Sequence, residues 1–487
     1  MGAREAGAYV VVTLTVVSLF APALQSKRPD RWLELRSPHF VVVSNAGEEE
    51  TRSVLWELER ARSVFRRVLT DARIDSHRPP VVLAVKDEDG LRELIPQFWE
   101  KKSQRPAAAY WPGPQHHRVV LRVDTSPRER ARRVIHEYGH LLTRLNIPDA
   151  PAWLDEGLAE LWGTAVIEGG ATEVGRPAAH HLKVLRSRRP WIPLVELVAM
   201  TRAPDPREST RLSLFYAQSW ALAHCLVLGG CLDRTGAPAN LQLAPPRYVE
   251  RLRQGADPVE AVRLAFGDLA AIEEALSEYV RAARFRALRF EVSSSPAEAG
   301  HLVLKTLSPA EALSVRAGFL LDGERPAAAL PLLAEAVALE PNAAPALETL
   351  GRFYFQQNNP TEAAKWFDRA IESESPSYVA HYYKAILTRT IRGASDGREA
   401  RGEGQGVLSE EDHLRRAIAL DATFAPAYAS LAGLLTGRRR EAEGEWETAG
   451  GRLGEAVELA RRATELEPDN AAYANLLREL LEQESGR

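Results

Sequence analysis

Residues 126–146 read SPRERARRVIHEYGHLLTRLN, and the rest of the chain takes its meaning from this stretch. It begins as helices begin, with Ser126 at the N-cap position, Pro127 in the first turn and Glu129 three residues after the serine. The apolar spacing that follows predicts a helix to about Asn146, before Pro148. His136 and His140 lie four apart in that helix, so both imidazoles project from one face and can reach one metal ion. Glu137 points beside such an ion, where it can take a proton from metal-bound water. The five-residue pattern alone is only moderately specific, and its surroundings decide its weight.

Those surroundings supply a third ligand. Trp153-Leu154-Asp155-Glu156-Gly157-Leu158-Ala159-Glu160 falls on the next predicted helix, and Glu156 completes a two-histidine, one-glutamate set that leaves a fourth zinc position for water. Glu160, one turn later on the same face, can accept the free N–H of a ligating histidine. Gly157 in a helix interior costs about 1 kcal/mol against alanine, and close approach to the metal-bearing helix would account for it. The bland alternative is that Asp155, Glu156 and Glu160 form a solvated acidic face.

At these residues the chain resembles the gluzincin metallopeptidases, in particular the MA-like families that pair a zinc helix with a W-L-x-E-G-x-A-E segment. The resemblance spans roughly residues 32–285, although only the two motif helices are specific. It implies Zn2+ held by His136, His140 and Glu156, with Glu137 as general base. It also implies that the strand just before the zinc helix, residues 118–123, is the sheet edge along which a peptide substrate pairs. Downstream, Phe215-Tyr216-Ala217-Gln218-Ser219-Trp220 resembles a helix of the same families, and the Tyr216 hydroxyl is the candidate donor to the developing oxyanion. His116 with His117 and His180 with His181 read as surface pairs, and His224 as a core or lid residue.

Working outward, residues 32–43 (WLELRSPHFVVV) predict one strand, residues 48–69 an amphipathic helix, and residues 80–85 and 118–123 two further strands. That is a small mixed sheet with helices on one side. After Ser126 the pattern is almost entirely helical, with helices expected near 153, 212–227, 247–253, 258–266 and 270–285.

The last third is repetitive. Residues 310–343 and 344–377 are each 34 residues long and keep one frame: Ala317, Leu320, Ala329, Leu333 and Ala336 in the first, and Gly351, Tyr354, Ala363, Phe367 and Ala370 in the second. This resembles the tetratricopeptide repeat, whose paired helices lock through small residues at close crossings. A third unit from Tyr378 and a fourth from Ala425 keep the frame after insertions, the first over residues 392–406, and residues 471–483 form a capping helix. A partner protein is expected on the concave face of the stack.

Composition sets the outer limits. With 487 residues, 45% hydrophobic and 26% charged, the chain is ordinary globular protein of about three units. A formal net charge of −4 gives no global basic field for nucleic acid. Arg4, the apolar run 8–20 and Ala21-Pro22-Ala23 read as a secretory signal, or as an uncleaved anchor over residues 6–24. The expected location is therefore periplasmic or extracellular, with membrane attachment only through that segment. Cys225 and Cys231 either pair after export or remain half-buried thiols.

The fold expected is α+β: a zincin-like domain of small mixed sheet, zinc helix and helical lobe, then an all-α tetratricopeptide solenoid. Its parts are a signal peptide or N-terminal anchor over 1–24, a sheet-containing lobe over 30–147 ending in the zinc helix, a helical lobe over 148–300 and the repeats over 307–487. The expected function is an exported zinc endopeptidase whose repeats bind protein partners. The alternative is a non-catalytic zinc-fold scaffold, and Glu137, needed for hydrolysis but not for holding metal, separates the two.

Overall fold

The computed structural model describes residues 30–99, 106–111, 113, 116–168, 170–229, 241–291, 300–394, 408–436, 452–468 and 470–485. The signal or anchor segment 1–24, Cys231 and most of both repeat insertions lie outside the described residues. Among the described residues no helix is long and apolar enough to cross a membrane.

The stretch read as one strand breaks into two, β1 (Leu33–Arg36) and β2 (Val41–Ser44). Pro38 interrupts the alternation, and the Ser37 hydroxyl accepts the N–H groups of His39 (3.2 Å) and Phe40 (3.0 Å), which turns the chain back on itself. Then follow α1 (Glu48–Val68), β3 (Val81–Val85), α2 (Glu88–Leu94), β4 (Ala108–Trp111), β5 (Arg118–Arg122) and α3 (Pro127–Asn146). Together with a late strand, β9 (Val303–Thr306), they form a six-stranded sheet in the order β4-β5-β3-β2-β1-β9. The β2–β3 and β3–β5 pairs are parallel and the others antiparallel. This corrects the expected edge: β5 is flanked on both sides, and the edge strand is β4, four residues among prolines and histidines that give little periodic signal.

Helices cover both faces of the sheet, not one. Val42, Val82, Ala84, Val119 and Leu121 point into a core shared with α1 and α3. Their alternates, Val41, Val43, Leu83, Val85 and Val120, point into a second core closed by Leu91 and Leu94 of α2 and by Ala312 and Phe319 of the first repeat helix. Double burial is why these strands read as unbroken apolar runs rather than alternating ones.

The region after α3 is less purely helical than its sequence suggests. It holds α4 (Ala152–Gly163), α5 (Ala179–Leu185), α6 (Leu194–Ala199), α7 (Ser209–Leu228), α8 (Pro246–Arg253), α9 (Pro258–Phe266) and α10 (Leu269–Ala282). A second, antiparallel sheet joins β6 (Val166–Glu168), β7 (Ala171–Val174) and β8 (Leu288–Phe290). Cys225, near the end of α7, is disulfide-bonded.

The repeats are the helix pairs α11 (Pro309–Asp322) with α12 (Pro326–Leu339), α13 (Ala344–Gln356) with α14 (Pro360–Glu372), α15 (Tyr378–Ala394) with α16 (Glu410–Leu420) and α17 (Ala425–Thr436) with α18 (Leu453–Leu466). The last helix is α19 (Ala471–Ser485). Ser308 and Glu311 form a reciprocal capping box that starts α11 two residues after β9 ends. Gly351 meets the Phe367 ring so closely that a Cβ there would lie 2.5 Å from it, the small-residue crossing that the repeat frame requires. Glu324 and Asn358, 34 positions apart, both turn through the left-handed region, with φ of 58° and 54°.

Residues 310–487 pack directly on the sheet. Besides the apolar seam, where Trp111 and Phe319 meet edge to face at 5.1 Å, buried charges cross it. Asp322 at the end of α11 accepts from both Arg118 of β5 and Arg352 of α13. Arg78 donates to Tyr378 and Asp421 and lies over the rings of Tyr378 (4.2 Å) and Phe424 (4.5 Å). The repeats are thus already wrapped on their own chain.

Candidate metal centre

Three helices set the geometry. The Ser126 hydroxyl caps α3 by accepting the Glu129 N–H (3.3 Å), and Arg130 ties α3 to α1 through Glu50, Glu57 and Ser53. Gly139 lets α3 approach α4, since a Cβ there would lie 2.9 Å from the Ala159 Cα. Gly157 serves a different contact from the one expected: its Cβ would lie 2.4 Å from the Ser219 carbonyl oxygen, so it admits α7, not α3. Packing α4 between α3 and α7 brings Glu156 to the histidine pair.

His136, His140 and Glu156 each offer a ligand atom, and these atoms lie within 4.8 Å of one another. Tetrahedral zinc with ~2.0–2.2 Å bonds to nitrogen and oxygen needs ligand atoms roughly 3.3 Å apart, so small side-chain adjustments close the set. His140 Nε2 faces Glu156 Oε2 at 3.7 Å, and its Nδ1 faces Asp155 Oδ1 at 3.1 Å, in ion-pair contact without hydrogen-bond alignment. His136 Nδ1 lies 3.8 Å from Glu160 Oε1. Each imidazole therefore has a carboxylate beside its Nδ1, the arrangement that orients metal-binding histidines. Glu160 stands where the sequence put it. Asp155, which the sequence offered only as part of an acidic face, is the partner that was missed.

Burial and mutual repulsion load this cluster electrostatically. Burial pushes Glu137 up to about 7 and Glu156 up to about 8, with neighbouring carboxylates adding to both. Burial lowers His136 to about 4. His140 goes the other way: burial opposes its charge, but Asp155 and Glu156 outweigh it and raise it to about 10. Four carboxylates, those of Glu137, Asp155, Glu156 and Glu160, surround two imidazoles, an imbalance that a divalent cation offsets.

The centre opens on a cleft formed by two adjoining cavities of about 440 Å³ and 740 Å³, both lined by Ala108, His136, Glu137 and Tyr216. The edge strand β4 runs along it. Tyr110 of that strand stacks on His140 (5.8 Å, 16°) and contacts His117 Nδ1 through its hydroxyl at 2.7 Å. Tyr216 sits within the field of Glu156, which is the main cause holding its hydroxyl protonated well beyond the usual tyrosine range.

Several histidines differ from their sequence reading. His116 and His117 are half-buried, bonded to the Pro79 carbonyl and to Tyr110, and burial lowers them to about 3 and about 4. His181 is buried against Trp220, with its Nε2 2.9 Å from Glu160 Oε2. Adjacent histidines misled because one of two successive helical residues can face inward. Glu160, His180 and His181 also cluster at metal-binding distance, but the Arg132 guanidinium lies 3.1 Å from Glu160 and 3.0 Å from His180 and occupies that role. His224 is a core residue, bonded to the Gly175 carbonyl and the Tyr279 hydroxyl.

Residues 320–378 match the tetratricopeptide-repeat family. The match runs from the end of α11 through α12, α13 and α14 to the start of α15, so this stretch of the C-terminal helix pairs is of tetratricopeptide-repeat type. Among solved structures, YrrB, a TPR protein with an unusual peptide-binding site, is 18% identical at a TM-score of 0.27, over 36% of this chain and 78% of its own. MamA 41-end from Desulfovibrio magneticus RS-1 is 17% identical at 0.27, over 37% and 87%. The APC/C hetero-tetramer Cut9–Hcn1 is 14% identical at 0.27, over 48% and 39%. No curated protein matches the chain.

Proposed function

We propose that this chain is an exported zinc-dependent endopeptidase with a zincin-like catalytic domain, in which His136, His140 and Glu156 hold the metal. The observation that carries the reading is the convergence of those three ligand atoms beside Glu137, in a cleft that an edge strand borders. Zinc, when bound, polarises a scissile carbonyl and lowers the pKa of its water toward ~7. Glu137, whose burial already raises its proton affinity, accepts the proton of the attacking water and returns it to the leaving amine. Tyr216 keeps its proton and donates a hydrogen bond to the oxygen on which charge develops. Asp155 and Glu160 orient the two imidazoles. The free side of β4 offers backbone groups to an extended peptide. The disulfide at Cys225 supports an oxidising compartment and hence export, periplasmic or extracellular.

The tetratricopeptide match favours a second reading, a non-catalytic zinc-fold scaffold that binds protein partners. One experiment separates them. Glu137→Gln should retain zinc and fold while turnover of a peptide library falls roughly 10²-fold or more. A zinc-loaded wild type inert toward a broad library would select the scaffold, and full activity in Glu137→Gln would remove this glutamate from the mechanism.

A further inference from the structure

Along its cleft side α3 carries more than the metal ligands. Arg133 lies three residues before His136 and Arg144 four residues after His140, so both fall on the stripe that presents the histidines. Arg133 lines the 740 Å³ half of the cleft and Arg144 the 440 Å³ half. Their neighbours make the pair unusual. Arg132 is committed to Glu160 and His180, and Arg122 to Glu88 and Asp124. Glu129, one turn before Arg133, takes the Ser126 hydroxyl instead. Among the described residues Arg133 has no hydrogen bond or ion pair, only the field of Glu129 one turn back, and its Nη1 is buried without an acceptor. Arg144 donates to the Pro148 carbonyl and pairs with no carboxylate among the described residues.

A buried guanidinium N–H without an acceptor is unfavourable and rare in native proteins. A carboxylate entering from the cleft would satisfy it with a charge-assisted hydrogen bond in fork geometry. We propose that the cleft selects acidic peptide segments, with Arg133 reading a substrate carboxylate on the His136 side of the scissile bond and Arg144 acting as a weaker, solvent-exposed anchor beyond His140. This rests on the peptidase reading above. Eleven residues of helix separate the two arginines, roughly 16 Å at 1.5 Å per residue. An extended peptide covers that distance in about five residues, so the two acidic positions flank the bond at a spacing of about five.

The test uses full-length, zinc-loaded Glu137→Gln protein, which binds without cleaving, and two labelled peptides that differ only by Glu or Gln at the flanking positions. Fluorescence anisotropy should show the acidic peptide bound roughly tenfold tighter or more, the scale of one charged hydrogen bond. Adding Arg133→Gln should remove most of that preference, and Arg133→Glu should turn it toward a lysine peptide. Because Arg133→Gln deletes an unpartnered side chain, it carries the test even if the charge reversal does not fold. Equal affinity for the two peptides in the parent, or an unchanged preference in Arg133→Gln, overturns the proposal. An acidic preference in binding with no turnover by wild type would defeat the peptidase reading, and with it the placement about a scissile bond, while upholding the cleft's selection of acidic segments. Turnover without acidic preference would do the reverse.

Discussion

Two buried polar clusters sit on opposite sides of the same sheet, and they are built on different principles. Arg118 and Arg352 join the sheet to the repeats through Asp322, whose carboxylate both guanidinium groups share. His136, His140, Glu137, Asp155, Glu156 and Glu160 crowd the other side with more carboxylates than the imidazoles can answer, and burial and repulsion raise Glu137 and Glu156 toward neutrality. The first arrangement holds the sheet and the repeats together. The second gathers carboxylates whose mutual repulsion a bound cation would relieve. Direct ion pairing thus marks the joint, where two guanidinium groups share one carboxylate, whereas carboxylates outnumber the imidazoles in the other cluster.

The largest effect should come from removing the joint altogether. A repeat unit set apart over residues 307–487, as the sequence places it, would be expected to be removable. The fold reverses that expectation, because Val41, Val43, Leu83, Val85 and Val120 would lose their cover from α11, and a fully buried Val or Leu contributes about 1.5–3 kcal/mol. Deleting residues 310–487 should yield insoluble or molten protein. A soluble, cooperatively melting fragment in calorimetry would show the two regions to be independent.

Next in size is Asp322→Ala. It strands two buried guanidinium groups, so chemical denaturation should show a loss of about 3–5 kcal/mol, as for breaking a buried pair from one side. A loss below about 1 kcal/mol would reduce the joint to a surface-like ion pair.

A smaller effect should appear at the other cluster as pH dependence of metal uptake. In metal-free protein His140 and Glu156 hold protons below about 10 and about 8, and zinc binds only their deprotonated forms. Affinity should therefore fall as pH drops below about 10, by up to about tenfold per unit, and more steeply below about 8, where a second proton must be displaced. Calorimetry at pH 7 in two buffers of different ionisation enthalpy should report net proton release. Proton-neutral uptake would contradict the environment described for these ligands.

Much of this was legible in residues 126–160, because caps, helical spacing and the two motifs are local signals. The bounds of α3, the start of α4 and the convergence of His136, His140 and Glu156 follow from them. The repeat frame was legible for the same reason. Features that depend on distant chain were not. The runs VVV at 41–43 and VVLAV at 81–85 already carried the mark of double burial, but nothing nearby named the cover, which comes from α11 more than two hundred residues later. β4 and β9 are four residues each and acquire strand character only from their neighbours. Asp155 and His181 needed coordinates, since which residue of an adjacent pair turns inward depends on helix rotation.

The central claim is that His136, His140 and Glu156 form one zinc site. Its most direct test is metal content by mass spectrometry after zinc-replete preparation and exhaustive dialysis, on wild type and on His136→Ala. The account predicts one zinc per chain in the wild type and almost none in the variant, with both proteins folded. Wild type without stoichiometric zinc, or a variant that keeps it, would contradict the account.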